Sequence, residues 1–361
     1  MLAIDSDSRI NIRSTGRLSA KGFAPVIKML GSSTTLDRYD RERGRNGRRL
    51  KFTAVQMVTI ILWMEAKKLT FAELGEMLDG RGGQRVLANL GMPKAKSRYI
   101  RPSDGWISDF RNHEYSRFRY ELLEEVEELI MSLGDGIAIY TGDSTPLEAS
   151  RYSEWADYNP HYRIKMAKEH IIMRNGNPLL FRITNGNKGD NPELKRLLEG
   201  MDSTRKSGCF LVDGGYDSFE TYVDVYLKTG IVMSGNAGVN AVIHREALWN
   251  NVVRRYNKLH RLSGFRPSST ATPDFIIRFL ANHGEREIVG WFLRNLDIMR
   301  GKKVHAEHAR IRHLCETVHR AMKRWVNLDV RGLHKRYVGK RTEWRMLTCQ
   351  LLSMLFVDYQ V

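Results

Sequence analysis

The spacing of apolar and polar positions divides the chain into a helical part and a mixed part. Between residues 53 and 134, TAVQMVTIILWMEAKK is apolar over most of its circumference, which predicts a buried helix. Thr70 and Glu73 have the spacing of a capping box at the start of a second helix. The segments QRVLANLG and SRFRYELLEEVEELIMSL predict two more helices. The region is therefore either a helix-turn-helix-like DNA reader or a plain helical bundle.

From residue 135 onward, short apolar runs alternate with turns and helical segments, which is typical of an α/β fold. GIAIYTGDS, EHIIMRNG and NPLLFRITNG predict strands, and Asn175-Gly176 between the last two predicts a tight hairpin. A helix, the strand GCFLVDGG, a further helix and the short strand IVMSGN follow. PDFIIRFLANHGEREIVGWFLRN then predicts a hairpin of strands, and helices are expected from about residue 303 to the end.

These patterns predict five segments along the chain. They are a basic N-terminal arm (1–52), a helical DNA-binding region (53–134), the first part of an α/β catalytic domain (135–234), an inserted subdomain (235–300), and closing helices with a basic C-terminus (301–361). The arm ends in DRYDRERGRNGRRLKF, whose clustered arginines are typical of either a solvated linker or a DNA-contacting arm.

The charge balance favours a polyanionic partner. The 361 residues include 58 Lys and Arg against 41 Asp and Glu, a formal net charge of +17. Nucleic acid is the first candidate, because each phosphate that a basic side chain neutralises releases a counterion. An anionic membrane surface is the second candidate. The best apolar run, AVQMVTIILWM, is far shorter than the roughly 20 residues of a membrane-spanning helix. The three cysteines form no CxxC pair, and we expect a reducing, cytoplasmic location.

Two aspartates follow apolar runs that predict strands. Asp143 comes after IAIYTG, and Asp213 comes after CFLV. The carboxyl ends of strands usually carry the chemistry in α/β sheets, so each aspartate is either a ligand there or a solvated residue at the sheet edge. Gly214 and Gly215 leave the backbone open to a metal or substrate, or form only a turn.

A late basic segment, RIRHLCETVHRAMK, holds Glu316 as its only acid. At about 100° per residue, its side chains form two adjoining stripes. The polar stripe contains Arg312, Glu316, His319 and Lys323, and the apolar stripe contains Ile311, Cys315, Val318 and Met322. Glu316 therefore lies at the margin of a core, where it could meet a strand end. Arg312 and Glu316 also have the spacing of an ordinary i,i+4 ion pair.

Together these motifs resemble the DDE transposases of prokaryotic insertion sequences, in the group with a YREK signature around the last acid. Arg312, Glu316 and Lys323 have the spacing of that signature, and Ala309 stands at its tyrosine position. TGDSTPLE resembles the first-aspartate strand of the family, LVDGGYDS the second, and GNPLLFRITNGNKGDNPEL the segment between them. The resemblance covers roughly residues 50–345.

The resemblance implies an α/β (α+β) fold. It would contain an RNase H-like mixed sheet flanked by helices, a strand-containing insertion and an all-helical N-terminal DNA-binding region. It also implies that Asp143, Asp213 and Glu316 are catalytic and bind two Mg²⁺ ions, for which Mn²⁺ can substitute. The DNA-binding residues expected are Arg312, Lys323, His319, Arg320 and Trp291, although Trp291 is also a candidate for core packing.

The implied reaction is metal-dependent cleavage of double-stranded DNA at transposon ends, followed by attack of the freed 3′-OH on target DNA. A homodimer on the DNA is expected because the reaction joins two ends, and the expected location is the cytoplasm, at the nucleoid. Two rival hypotheses stay open. One is an RNase H-like nuclease without strand transfer, and the other is a DNA-binding protein with an inactive catalytic domain.

Overall fold

The computed structural model describes residues 9–12, 18–44, 51–133, 138–201, 208–235, 242–262, 271–326 and 335–360. In chain order the helices are α1 (Ala24–Gly31), α2 (Thr34–Gly44), α3 (Ala54–Ala66), α4 (Phe71–Asp79), α5 (Gly83–Asn89), α6 (Asp104–Asn112), α7 (Arg119–Ser132), α8 (Asp190–Gly200), α9 (Phe219–Thr229), α10 (Trp249–Leu262), α11 (Pro273–Asn282), α12 (Arg286–Ile298), α13 (Lys302–Trp325) and α14 (Lys335–Phe356). The strands are β1 (Arg9–Ile12), β2 (Lys94–Ala95), β3 (Arg98–Tyr99), β4 (Ala138–Glu148), β5 (Asp157–Asn159), β6 (Ile164–Arg174), β7 (Asn177–Asn185), β8 (Gly208–Leu211), β9 (Met233–Ser234) and β10 (Val357–Gln360).

A mixed sheet of six strands forms the centre of the α/β region. β6 pairs antiparallel with β4 on one side and with β5 and β7 on the other, while β4, β8 and β9 run parallel. Apart from the short β5, the sheet order is third, second, first, fourth, fifth strand. This confirms the RNase H-like mixed sheet that the resemblance implies. Asn175 and Gly176, at φ of 50° and 77°, form the tight turn predicted between β6 and β7.

Helices cover both faces of this sheet. On one face, Ile311 of α13 packs with Ile139, Cys209 and Leu211 of β4 and β8. On the other face, α8 approaches so closely that a Cβ atom at Gly142 would lie 3.3 Å from Leu194 of that helix. Alternate residues of β4 therefore face α13 and α8.

The N-terminal region is largely helical, as predicted. α3 is buried over most of its length and begins with a capping box between Thr53 and Gln56. α4 begins with the capping box predicted at Thr70 and Glu73. The two-residue strands β2 and β3 interrupt the helices, so the region is not all-helical. Within the described residues, no helix combines the length and the apolar character needed to cross a membrane.

The segment predicted as a basic arm is folded over residues 18–44. α1 and α2 occupy this stretch, and their Val26, Leu30 and Leu36 side chains belong to the main hydrophobic core. The apolar positions of α1 and α2 account for this, because their burial holds both helices against α3. The rest of the clustered arginines, in residues 45–50, lie outside the described residues.

The insertion is helical where the structure describes it, so the predicted hairpin of strands is wrong. PDFIIRFLANHGEREIVGWFLRN forms α11 and α12, which Gly284 separates at a φ of 84°. Thr272 caps α11, and Pro273 occupies its first turn. Their buried residues recur at helical spacing, as Ile276, Ile277, Leu280 and Ala281 in α11 and Val289, Phe292 and Leu293 in α12. The β-branched and aromatic residues that indicated strands therefore line helix faces.

Helix α14 joins the helical region to the sheet. It contacts both α3 and β7. Where they meet, Glu65 of α3 binds Arg111 of α6 at 3.0 Å and Arg345 of α14 at 3.2 Å. All three side chains are buried, so an ionic cluster lies inside the contact between the two regions.

Candidate active site

Asp143 and Asp213 come from neighbouring parallel strands. β4 and β8 are paired up to Thr141 and Leu211, and the same register continued by two residues puts Asp143 beside Asp213. Asp143 lies in the middle of β4, not at its end, because the strand continues to Glu148 in antiparallel pairing with β6. β8 has already ended at this level, so Asp143 keeps 25% of its side chain exposed.

The two aspartates influence each other electrostatically. Burial raises the pKa of Asp213 above its ordinary value, and the carboxylates of Asp143 and Asp190 raise it further. The N–H of Gly215, which donates to Asp213 Oδ1 at 2.9 Å, and the positive charge of Arg312 act in the opposite direction. Negative charge is therefore concentrated where β8 ends beside the middle of β4, and a cation placed there would stabilise it.

Glu316 lies on α13, but it is engaged by basic neighbours on its own helix. Its Oε1 is 2.7 Å from Arg312 Nη1, and its Oε2 is 3.1 Å from His313 Nδ1. The i,i+4 ion pair left open by the sequence is therefore formed. Since Arg312 also acts electrostatically on Asp213, one guanidinium partly neutralises carboxylates on both the helix and the sheet.

His319 and Lys323 face the sheet from the same stripe of α13. His319 is buried, and its Nδ1 lies 3.4 Å from Asp143 Oδ2. Lys323 Nζ donates to Thr145 Oγ1 at 2.8 Å. His319 packs against Asp143, and its predicted DNA contact stays a prediction. Val318 and Met322 are buried beside this stripe, as predicted.

Two other predicted DNA-binding residues are differently placed. Arg320 is exposed on α13, so its DNA contact stays a prediction. Trp291, on α12 instead of a strand, stacks on His244 with 5.0 Å between ring centroids and meets the edge of Phe219 at 5.5 Å. A base could stack on the covered face of Trp291 only by displacing His244, and this arrangement favours the packing role.

The sequence did not point to Asp190, which supports the site from the opposite face of the sheet. Asp190 Oδ1 lies 2.7 Å from Lys168 Nζ and 3.4 Å from His170 Nδ1, both on β6. Burial by itself would raise the pKa of Asp190, but hydrogen bonds from His170, Lys168 and Ser144 outweigh it and lower the pKa to about 2. This carboxylate therefore stays ionised directly behind Asp143 and its neighbour Ser144.

Asp190→Asn is expected to destabilise the fold at neutral pH but not in strong acid. Because the pKa of Asp190 is lowered on folding, its contribution is present above the ordinary aspartate pKa and is lost as the pH falls from about 4 to about 2. The expected loss at pH 7 is about 2 kcal/mol. Urea unfolding of the unmodified chain and of Asp190→Asn, at pH 7 and at pH 3, measures this loss. Asp109→Asn is the control, because Asp109 is exposed. An equal loss at both pH values would contradict this assignment.

The carboxylates only partly fit a metal site in the arrangement described. No three His, Cys, Asp or Glu side chains among the described residues are grouped so that they could hold a metal ion. Asp143 and Asp213 offer the oxygen ligands that a hard divalent cation prefers, at a position where negative charge is in excess. Glu316, the third predicted ligand, is paired with Arg312 and His313 in this arrangement.

Most of the α/β region is similar to a known protein family. A family model described as a transposase DDE domain matches residues 137–354, which include Asp143, Asp213 and Glu316. Among solved structures, a cryo-EM structure of a piggyBac transposase synaptic complex with hairpin DNA matches with 11% sequence identity and a TM-score of 0.31. That match covers 93% of this chain and 87% of the other. The search of curated proteins gave no match.

Proposed function

Because the chain belongs to the family of transposases with a DDE domain, we propose that it cuts double-stranded DNA at transposon ends and joins the freed 3′-OH to target DNA. Family membership makes it a DNA-cutting enzyme of transposition. The observation that supports the finer proposal is the pair of aspartates on adjacent parallel strands, Asp143 and Asp213, whose charges act on each other. Such a pair suits the displacement at phosphorus that both steps require.

We propose that Asp143, Asp213 and Glu316 bind Mg²⁺, in the two-ion arrangement predicted from the sequence, with Mn²⁺ as a substitute. All three donors are carboxylates, which are the ligands Mg²⁺ prefers. When bound, the ions would activate the attacking water or 3′-OH and stabilise the departing oxygen. The chain itself contributes rigid placement, since Gly215 holds Asp213 and the register of β4 fixes Asp143.

Arg312 has two alternative partners in this proposal. It pairs with Glu316 in the structure, and its planar guanidinium can also grip a DNA phosphate through two hydrogen bonds. A phosphate of the transposon end would therefore draw Arg312 away and release Glu316 toward the aspartates. Lys323, held at β4 by Thr145, would meet the same DNA strand as a point charge. Exposed Arg320 extends this basic surface along α13.

The helical N-terminal region offers a second DNA-binding surface. Residues 51–52 and 101–106 line an open groove in which Trp106 is 49% exposed. Lys51 Nζ lies 5.8 Å from the centre of the Trp106 ring, so a cation and an aromatic face are presented together. Lys94, Lys96 and Arg98 lie close by in sequence, on and between the short strands β2 and β3. We propose that this groove contacts the transposon end away from the cleavage point.

A strand-transfer assay separates this function from its rivals. Pre-cleaved transposon ends are incubated with the full chain, Mg²⁺ and a target plasmid, and joined products are measured. Joined products support transposition, whereas cleavage of intact ends without joining indicates a nuclease. Binding without either product indicates an inactive DNA-binding derivative.

Two copies of the chain are proposed to act together on the DNA, because each event joins two transposon ends. Ultracentrifugation of the chain with end DNA should give a complex that contains two protein copies. A complex of one copy that still carries out strand transfer would contradict the homodimer. Since the substrate is genomic DNA, we place the complex at the nucleoid, in the cytoplasm.

DNA binding should weaken steeply with salt. Each phosphate neutralised contributes a slope of about −0.9 to the plot of log affinity against log salt concentration. Arg312→Gln and Lys323→Gln should each reduce that slope by about one unit. Fluorescence anisotropy with labelled end DNA measures this. Arg196→Gln is the control, because Arg196 lies on α8 at the opposite face of the sheet. A flat salt response would exclude the α13 surface from the interface.

A further inference from the structure

A further carboxylate lies on the sheet face that carries the catalytic aspartates. Glu169 is in the middle of β6 and directly opposite Thr145 of β4. Side chains two residues apart on a strand share a face, so Glu169 lies on the same face as Asp143 and under α13. The sequence did not point to Glu169, because its run EHIIMRNG indicates only a strand.

Glu169 is buried and makes no hydrogen bond to any residue that the structure describes. Its relative exposure is 0%, and neither carboxylate oxygen has a hydrogen-bond partner among the described residues. Burying an ionisable group in this way is costly, and an apolar or amide side chain at this position would be cheaper. Burial accordingly raises the pKa of Glu169 above its ordinary value. Because burying the Glu169 carboxylate costs free energy, we expect it to have a role other than packing.

The groups that act electrostatically on Glu169, or lie near it, come from four elements. His319 and Lys323 on α13 act on it with positive charge, His319 more strongly, and His170 does so from the adjacent position on β6. Asp143 on β4 acts with negative charge, and Cys349 of α14 lies within the same buried surroundings. Glu169 therefore sits behind the residues that line the site, without reaching its open side.

His319 contacts Asp143 directly and acts on Glu169 through its charge. Its Nδ1 lies 3.4 Å from Asp143 Oδ2, while its Nε2 is buried and has no hydrogen-bond partner among the described residues. Lys323 is less suited, because its Nζ is already engaged by Thr145 at 2.8 Å. We propose that Glu169 is a positioning residue, which holds His319 against Asp143 and so fixes the orientation of that metal-binding carboxylate.

This role rests on the proposed function and explains why a carboxylate at Glu169 is useful. Metal-binding carboxylates are usually held by a neighbouring group, and loss of that neighbour weakens metal affinity or activity by about 10- to 100-fold. Asp143 accepts a hydrogen bond from the N–H of Ser144 at its Oδ1, which leaves Oδ2 to be oriented by His319. Glu169 attracts the imidazole from the interior and keeps it from turning away.

Glu169→Gln tests this inference, because it preserves size and hydrogen-bonding capacity while removing the negative charge. We expect Mg²⁺ binding to the full chain, measured by titration calorimetry, to weaken about tenfold. The urea midpoint should stay equal or rise, since an unpaired buried carboxylate is lost. A lowered midpoint with unchanged Mg²⁺ affinity would mean a purely structural role and would overturn the inference.

Double variants identify the route by which Glu169 acts. His319→Gln should weaken Mg²⁺ binding by a similar factor, and adding Glu169→Gln should weaken it no further. When Glu169→Gln is combined with Lys323→Gln, the two reductions in Mg²⁺ affinity should multiply. If they multiply with His319→Gln but not with Lys323→Gln, Glu169 acts through Lys323 and the proposal is overturned. Glu193→Gln is the matched control, because it removes a buried carboxylate from α8 on the opposite face and should leave Mg²⁺ affinity unchanged.

The outcome for the unmodified chain keeps the two proposals apart. If it neither binds Mg²⁺ nor cuts end DNA, the proposed function fails and this inference fails with it. If it binds Mg²⁺ and cuts DNA but Glu169→Gln binds Mg²⁺ equally well, only the inference about Glu169 fails.

Discussion

Asp143→Asn should reduce Mg²⁺-dependent cleavage of transposon-end DNA by at least about a thousandfold, equivalent to about 4 kcal/mol of transition-state stabilisation. The amide keeps the shape of Asp143 and its place beside Asp213, but it removes the charge that a divalent cation needs. Asp213→Asn should have the same effect. Gel assays of cleavage and of DNA binding, made on the same samples, measure the result.

DNA binding should survive both substitutions, because the basic residues of α13 and of the N-terminal groove are unchanged. Each substitution also removes a carboxylate that repels phosphate, so the affinity for DNA should be equal or slightly higher. Asp157→Asn is the matched control, since Asp157 lies in the same sheet on β5, away from the aspartate pair. Near-normal cleavage by either Asp143→Asn or Asp213→Asn would show that the catalytic residues have been wrongly assigned.

Glu65→Ala should lower the free energy of unfolding by about 3–5 kcal/mol, the range found when one partner of a buried ion pair is removed. Glu65 is only 3% exposed and binds both Arg111 and Arg345. Burial lowers the pKa of Arg111, and it lowers that of Arg345 to about 10. Without Glu65, these two guanidinium groups would be left in the interior without this carboxylate.

Urea unfolding followed by circular dichroism measures that loss. The control is Glu121→Ala, which removes an exposed partner of Arg38 at 3.4 Å and should cost less than about 1 kcal/mol. A second variant, Glu65→Gln, separates charge from volume, because the amide fills the space and still accepts hydrogen bonds. An unfolding midpoint that is unchanged in both Glu65 variants would mean that the cluster does not stabilise the contact between the two regions.

The sequence predicted those parts of the fold that depend on local patterns. Thr70 and Glu73 identified a helix start through the spacing of a capping box, and Asn175-Gly176 identified a hairpin through its turn chemistry. The strand predicted at α11 is wrong, because its Ile and Phe residues favour strands only locally. Their contacts with other helices decided the outcome, and those contacts are not visible in a single sequence.

The candidate site shows the same division between local and long-range information. Spacing along α13 correctly placed Ile311, Val318 and Met322 in the interior and Glu316 at its margin. Two features of the site depend on the register between strands that are far apart in the chain. One is the position of Asp143 in mid-strand, and the other is the burial of Glu169 opposite Thr145. Spacing within one helix also could not decide between Arg312 and a metal as the partner of Glu316.

Helix α14 packs against both α3 and β7, so it would affect where the DNA is cut. If the helical region binds the end sequence as proposed, the distance between that region and the active site on the sheet would be fixed. Inserting base pairs between the recognised sequence and the cleavage point should move the cut along the DNA by the same number of nucleotides. The chain would measure its distance from the recognised sequence, whatever bases happen to lie at the break.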